Sequence, residues 1–182
     1  TCPAGPVSSG FTGATSQMGR IFRDGIASTC PVKAYPGIFN DTTPYNYETY
    51  TYSNTDAAAA CVTVNFDPDA GATPCATNAH MSAYLGSYDP ADQGANFLGD
   101  VGSSIAQPFS FEVAGNSQLV LAVSNTSAAA VCTFAFEVVD LPCVEGVPYV
   151  APNELPTQNT LGMLLMGLLL AGAGWFAVRR RA

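Results

Sequence analysis

The chain has 182 residues, six of them Lys or Arg against fourteen Asp or Glu, and a formal net charge of −8. Because Arg179, Arg180 and Arg181 make up half of the basic set, the residues ahead of Leu155 carry three positive against fourteen negative charges, a net of −11. A field of that sign repels nucleic-acid backbones and excludes nucleic acid as a partner, and the length allows one ordinary domain with an appendage.

Residues 1–43 are rich in Gly, Ser, Thr and Pro, a composition that predicts an irregular, disulfide-stapled segment. Arg20 and Arg23 lie in its compact stretch MGRIFRDGI. They are expected to pair with the chain's own carboxylates, the alternative being an acidic partner. From residue 44 to 143 the pattern becomes short alternating runs: YNYETYTY, CVTVNF, HMSAYLGSY, FSFEV, QLVLAV and CTFAFEVV. Val62, Val64 and Phe66 share a face, as do Phe109, Phe111 and Val113, and Phe134, Phe136 and Val138. Period two with aromatic and β-branched residues predicts a mainly β protein whose antiparallel sheets each bury one side. The expected architecture is a β-sandwich of jelly-roll or immunoglobulin-like kind.

Two stretches echo each other, SNTDAAAAC at Ser53–Cys61 and SNTSAAAVC at Ser124–Cys132. The apolar positions after the cysteine fall at odd steps in the first and even steps in the second, a shift that would flip a strand's faces. The favoured reading is a loop that recurs at two corners of the sandwich; a duplicated unit with a bulge is the alternative.

Residues 144–160 hold prolines at 148, 152 and 156 and little periodicity, which predicts a stiff, extended spacer. Leu161–Val178 follows as eighteen uncharged residues. As a helix this run is about 27 Å long, enough to cross a bilayer with little tilt. Trp175 stands one turn from the arginines, at interfacial depth, and Gly167 and Ala171 leave a shallow face where another membrane helix can approach. The basic tail at 179–182 predicts a cytoplasmic C-terminus with the acidic domain in the periplasm of a bacterial inner membrane. The expected partners are the bilayer and other membrane or periplasmic proteins.

Six cysteines at wide spacings, Cys2, Cys30, Cys61, Cys75, Cys132 and Cys143, with no CxxC and a single histidine, His80, predict three disulfides rather than zinc. Disulfides place the domain in an oxidising compartment. Pairing of sequence neighbours is expected: Cys2 with Cys30, Cys61 with Cys75 and Cys132 with Cys143. The first residue is Thr1, which is read as the start left by a removed signal peptide.

The stretch ELPTQNTLGMLLMGLLLAGAGWFAVRRRA, with Leu155, Pro156 and Thr157 at its motif position, resembles the C-terminal sorting signals of exported bacterial proteins of the IPTL-CTERM and PEP-CTERM class. GRIFRDGIASTC, CVTVNFDPDAGATPC and AYLGSYDPADQGANFLGDVGSS are similar to the β-sandwich of bacterial pre-peptidase C-terminal domains. The first resemblance implies processing of the tail by an exosortase-type enzyme. The second implies a fold and an extracellular setting, and no chemistry.

Nucleophilic catalysis wants a histidine base, and His80, the one histidine, is read as an ordinary residue at a strand edge. No GxxxxGK[ST], HExxH or GxSxG string occurs, and the chain is expected not to be an enzyme. Asp67, Asp69, Asp89, Asp92 and Asp100 lie in turn-rich loops and offer oxygen ligands for calcium, although Asp-Pro composition is equally what turns use; no other cofactor is expected. Three functions follow: a non-catalytic accessory subunit of a larger membrane assembly, respiratory or photosynthetic; a sorted surface or matrix protein whose tail is cut; or a lectin-like binding module with a patch at Tyr45, Tyr47, Tyr50 and Tyr52, tyrosines otherwise read as cross-strand pairs.

Overall fold

The computed structural model describes residues 1–128 and 130–145. Most of the spacer, the apolar run Leu161–Val178 with Gly167, Ala171 and Trp175, and the tail Arg179, Arg180 and Arg181 lie outside the described residues. Among the described residues no helix is long and apolar enough to cross a membrane.

The chain order is β1 (Val7–Gly10), β2 (Ser16–Ile21), β3 (Ile38–Asn54), β4 (Ala60–Asp67), a 3-10 turn (Ala76–Asn78), β5 (Ala79–Leu85), β6 (Phe97–Asp100), β7 (Gln107–Val113), β8 (Ser117–Asn125) and β9 (Thr133–Val139). They form two antiparallel sheets, one of four strands in the order β1-β9-β4-β7 and one of five in the order β2-β3-β8-β5-β6. The alternating runs read from the sequence supply the space between them. Val62, Val64 and Phe66 of β4 meet Phe109 and Phe111 of β7 and Phe136 and Val138 of β9 in register, and all are buried with Leu119, Leu121, Val123 and Met81 of the opposite sheet. Each such side chain removed from water stabilises the fold by roughly 1.5–3 kcal/mol.

Segment 1–43 is irregular only in part: residues 22–37 lie outside the strands. It contributes β1 to the four-stranded sheet, β2 to the five-stranded one and the first residues of β3, so the sandwich begins well before residue 44. The strand pattern in β2 is masked by a bulge: register shifts between Met18 and Arg20, and Gly19 takes a left-handed φ of 72°, a conformation that needs glycine.

Residues 28–33 run between the sheets' free edges. Ser28 N–H donates to Asp100 O at 2.9 Å and Lys33 N–H to Leu98 O at 3.2 Å, while Ser28 O and Pro31 O accept from Ser110 N–H and Glu112 N–H of β7. Edges left open would invite pairing with other chains; this segment covers β6 and β7. At Gly99 a Cβ would meet Ser28 Oγ at 2.3 Å, so the close approach requires glycine.

The disulfides are Cys2–Cys143, Cys30–Cys61 and Cys75–Cys132, not the neighbour pairs. Antiparallel pairing is the reason, because it juxtaposes distant segments. Cys61 stands opposite Glu112 of β7, whose N–H bonds Pro31 O, so Cys30 arrives beside Cys61. Likewise Cys75 N–H donates to Thr133 O at 2.9 Å, setting Cys75 next to Cys132.

The two echoing stretches are both crossings from the five-stranded to the four-stranded sheet, β3 to β4 and β8 to β9. They sit at opposite ends of the sandwich, since Asn54 at the end of β3 pairs with Ser117 at the start of β8. Asn54 and Asn125 are fully buried. Asn54 Nδ2 donates to the carbonyls of Ala58, Val113 and Ala114, and Asn125 Nδ2 to that of Ala130. The recurrence is therefore a corner loop.

Candidate functional site

The outer face of the five-stranded sheet is covered as well. Ile21, Tyr84, Val120 and Ala122 form a second apolar cluster, roofed by Tyr35, Tyr88 and Phe97. Tyr88 lies 4.7 Å from the Tyr84 ring and 5.4 Å from Tyr47, and Tyr35 lies 5.2 Å from Phe97. The loop between β5 and β6 holds its shape by Asp side chains capping the chain two residues ahead: Asp89 accepts from Ala91 N–H at 2.8 Å and Asp92 from Gly94 N–H at 3.2 Å.

That loop is stitched to edge strand β2 by two buried glutamines. Tyr88 OH donates to Gln17 Oε1, and Gln17 Nε2 donates to Gly19 O at 3.2 Å. Gln93 Nε2 donates to Met18 O and Gly19 O, both at 3.3 Å. The bulged carbonyls thereby find partners away from any ladder.

Between the loop and the β2–β3 hairpin lies a cleft of about 650 Å³, lined by Ser16, Gln17 and Met18 of β2, Ile38 and Asp41 of β3, Tyr35, and Pro90–Gly94. Two polar atoms of the lining residues are buried without a partner, Gln93 Oε1 and Tyr35 OH. Buried polar atoms are nearly always satisfied, so two unpartnered ones on residues that line a cleft leave hydrogen-bonding capacity unused. Burial, with the Asp92 charge as a second cause, pushes the Tyr35 phenol up to about 12, so it remains a neutral hydroxyl. Burial likewise raises Tyr84 and Tyr88.

The four tyrosines of β3 do not make one patch. Tyr45 and Tyr47 are on the outer face, where Tyr45 is buried beside Asn40 and Arg20 and Tyr47 meets Tyr88 edge to face. Tyr50 and Tyr52 pack into the core, Tyr50 at 4.7 Å from the Phe136 ring. Positions 47 and 50 are an odd number of steps apart, which puts them on opposite faces of a strand. They do pair across strands, Tyr50 and Tyr52 with Leu121 and Leu119, Tyr47 with Ser124 and Tyr45 with Gln17.

His80 is not at an edge. It lies in β5, between β8 and β6, fully buried with Nε2 unpartnered. Burial first, then the charges of Arg20, Arg23 and Lys33, lower its pKa to about 3. Among the described residues Arg20 and Arg23 reach no carboxylate: the Arg20 guanidinium sits 4.3 Å over the Phe39 ring, and Arg23 Nη1 donates to Thr77 O and Ser104 Oγ. Asp67 accepts from Asp69 N–H at 2.9 Å. Asp100 receives Lys33 Nζ at 2.8 Å and Gly102 N–H at 2.8 Å, and burial outweighs that ammonium to raise its carboxyl pKa. Among the described residues no three His, Cys, Asp or Glu groups are gathered as a metal site.

Sequence reading missed Gln17, Tyr35, Asp41 and Gln93. The glutamines carry no motif; the one signal was DPADQGAN, a turn-forming string long enough to fold back on the sheet.

No family model matches the chain, and no curated protein matches it. Among solved structures, the chain is similar to "CBM35 from Cellvibrio japonicus Abf62" at 11% identity, over 76% of this chain and 100% of that one, with a TM-score of 0.27. At that level the likeness bears on neither the site nor its ligand.

Proposed function

We propose that the chain is a non-catalytic recognition module, working outside the cytoplasm, that holds a small polar ligand in the cleft between the β2–β3 hairpin and the β5–β6 loop. The observation that carries this is Gln93, 3% exposed, with Oε1 unsatisfied in the wall of a cleft of about 650 Å³. A concave site with a few fixed polar groups and some apolar lining, here Met18 and Ile38, is what small-ligand binding uses. The three disulfides suit an oxidising compartment. A thermal-shift panel of sugars, amines and amino acids, with a glycan array, tests it. At least one compound is expected to raise the midpoint in the wild type and not in Gln93→Leu; a panel silent throughout overturns the reading.

A second reading, a membrane-held accessory subunit, is favoured by exposed apolar side chains along the same hairpin: Met18 at 54%, Ile38 at 41% and Phe39 at 37%, with Phe22 at 47% stacked on Phe39. Such a patch suits a protein neighbour. Purification from the native membrane in mild detergent is expected to bring a stoichiometric partner. An intact mass ending before Leu161 overturns it and favours the sorted surface protein.

A further inference from the structure

We infer that the cleft takes a cationic group, an ammonium or guanidinium; this rests on the reading that the cleft is a binding site and names its ligand class. The argument is an inventory of what the walls have left to offer. Gln93 Nε2 commits both its hydrogens to the carbonyls of Met18 and Gly19, and Gln17 Nε2 commits one of its two to Gly19. The N–H groups of Ala91, Asp92 and Gly94 are taken up within the loop by Asp89 and Asp92. What remains is chiefly acceptor: the exposed carboxylates of Asp41 and Asp92, with Gln93 Oε1 below the accessible surface and unpartnered. The Tyr35 and Ser16 hydroxyls work either way.

Among the described residues no Lys or Arg lines the cleft. The nearest cation along β2, Arg20, is 6% exposed and held over the Phe39 ring, so among the described residues the two lining carboxylates have no cationic partner. The two salt bridges among the described residues both belong to Lys33, elsewhere on the molecule. An acceptor wall with uncompensated negative charge and a net −11 ahead of Leu155 rejects anions and favours a donor-rich cation, drawn in by the field of the whole domain. The aliphatic stem of such a ligand has Met18 and Ile38 to lie on.

The test is calorimetric titration of the full-length protein in mild detergent with agmatine, a Gly-Arg-Gly peptide, methyl glucoside and glutamate. Agmatine or the peptide is expected to bind, with Kd weakening about fivefold between roughly 50 mM and roughly 500 mM salt. The double substitution Asp41→Asn, Asp92→Asn is expected to weaken it about tenfold or more, since two charge-assisted contacts become neutral ones. Both positions are exposed and Asn keeps the acceptor for Gly94 N–H, so an unchanged melting midpoint verifies the fold. Binding of agmatine assigns a free small cation; binding of the peptide alone assigns a basic segment of a partner. Methyl glucoside binding that ignores salt and the double substitution overturns the cationic assignment and leaves the binding reading standing. Silence from all four probes overturns the cationic assignment, and the wider panel then decides the cleft.

Discussion

Lys33 Nζ lies 2.8 Å from Asp100 Oδ1, and the Asp100 side chain is wholly buried while that of Lys33 is 12% exposed. The same ammonium donates to Asp24 at 2.7 Å and to the carbonyl of Ile26, so one side chain clamps segment 22–33 onto β6. Removing one member of a buried pair strands the other, which costs about 3–5 kcal/mol. Lys33→Met is therefore expected to lower the melting midpoint by roughly 10 °C for a domain of this size. A change within a degree or two would mean that water already solvates Asp100.

His80 gives the protein an acid sensitivity that begins above the carboxylate range. Its folded pKa of about 3 lies below the ordinary 6.5. The unfolded chain therefore binds a proton that the native state refuses, and stability falls as pH drops from 6.5 towards 3. The expected slope below pH 6.5 approaches about 1.4 kcal/mol per unit. Urea unfolding at about pH 6.5 and pH 5 measures it, and His80→Leu should flatten it. An equal slope in the variant assigns the effect to other groups.

The Cys30–Cys61 bridge holds the segment that covers β6 and β7. Replacing both cysteines by alanine is expected to lower stability by about 3 kcal/mol. Hydrogen exchange should show where: the amides of Ser110 and Glu112, which donate to Ser28 and Pro31, lose protection first. Uniform loss across the sandwich would mean the segment and the sheets unfold together.

The two hydrogens of the Asn54 amide nitrogen are shared among three carbonyls. Asn54→Ala removes both donors that serve these carbonyls and is expected to cost about 3 kcal/mol, and Asn54→Asp at least as much, because its oxygens face acceptors. Asn125, whose Oδ1 accepts from Asn46 N–H at 3.0 Å and whose Nδ2 donates once, should cost less on truncation. Denaturant midpoints of the alanine variants rank them, and the reverse order would sink the comparison.

EDTA is expected to leave the melting midpoint unchanged. Asp67, Asp89 and Asp92 each use a carboxylate oxygen to cap the N–H two residues ahead, and Asp100 is neutralised by Lys33. Differential scanning calorimetry with and without chelator measures this; a fall in midpoint would show that calcium holds one of these loops.

The core was legible in the chain because burial writes itself into a strand at every second residue, as in Val62, Val64 and Phe66 or Phe134 and Phe136. The echo of Asn54 and Asn125 was legible for a related reason: a crossing between sheets needs a side chain that satisfies loop carbonyls locally. Period two fails where a bulge intervenes, so β2, with its left-handed Gly19, was missed. The tyrosines of β3 misled because they share a strand and differ in face.

Composition and local pattern thus sufficed for a disulfide-bonded β-sandwich with strongly acidic charge, since those properties depend on residue type and near neighbours. Which cysteines join, how Lys33 meets Asp100, and why Gln17 and Gln93 form one wall of a cleft came from the tertiary structure alone. These pairs are 31 to 141 residues apart for the disulfides, 67 for the ion pair and 71 between Gln17 and Tyr88. Contacts over such separations are set by strand order and register, and no local periodicity records them.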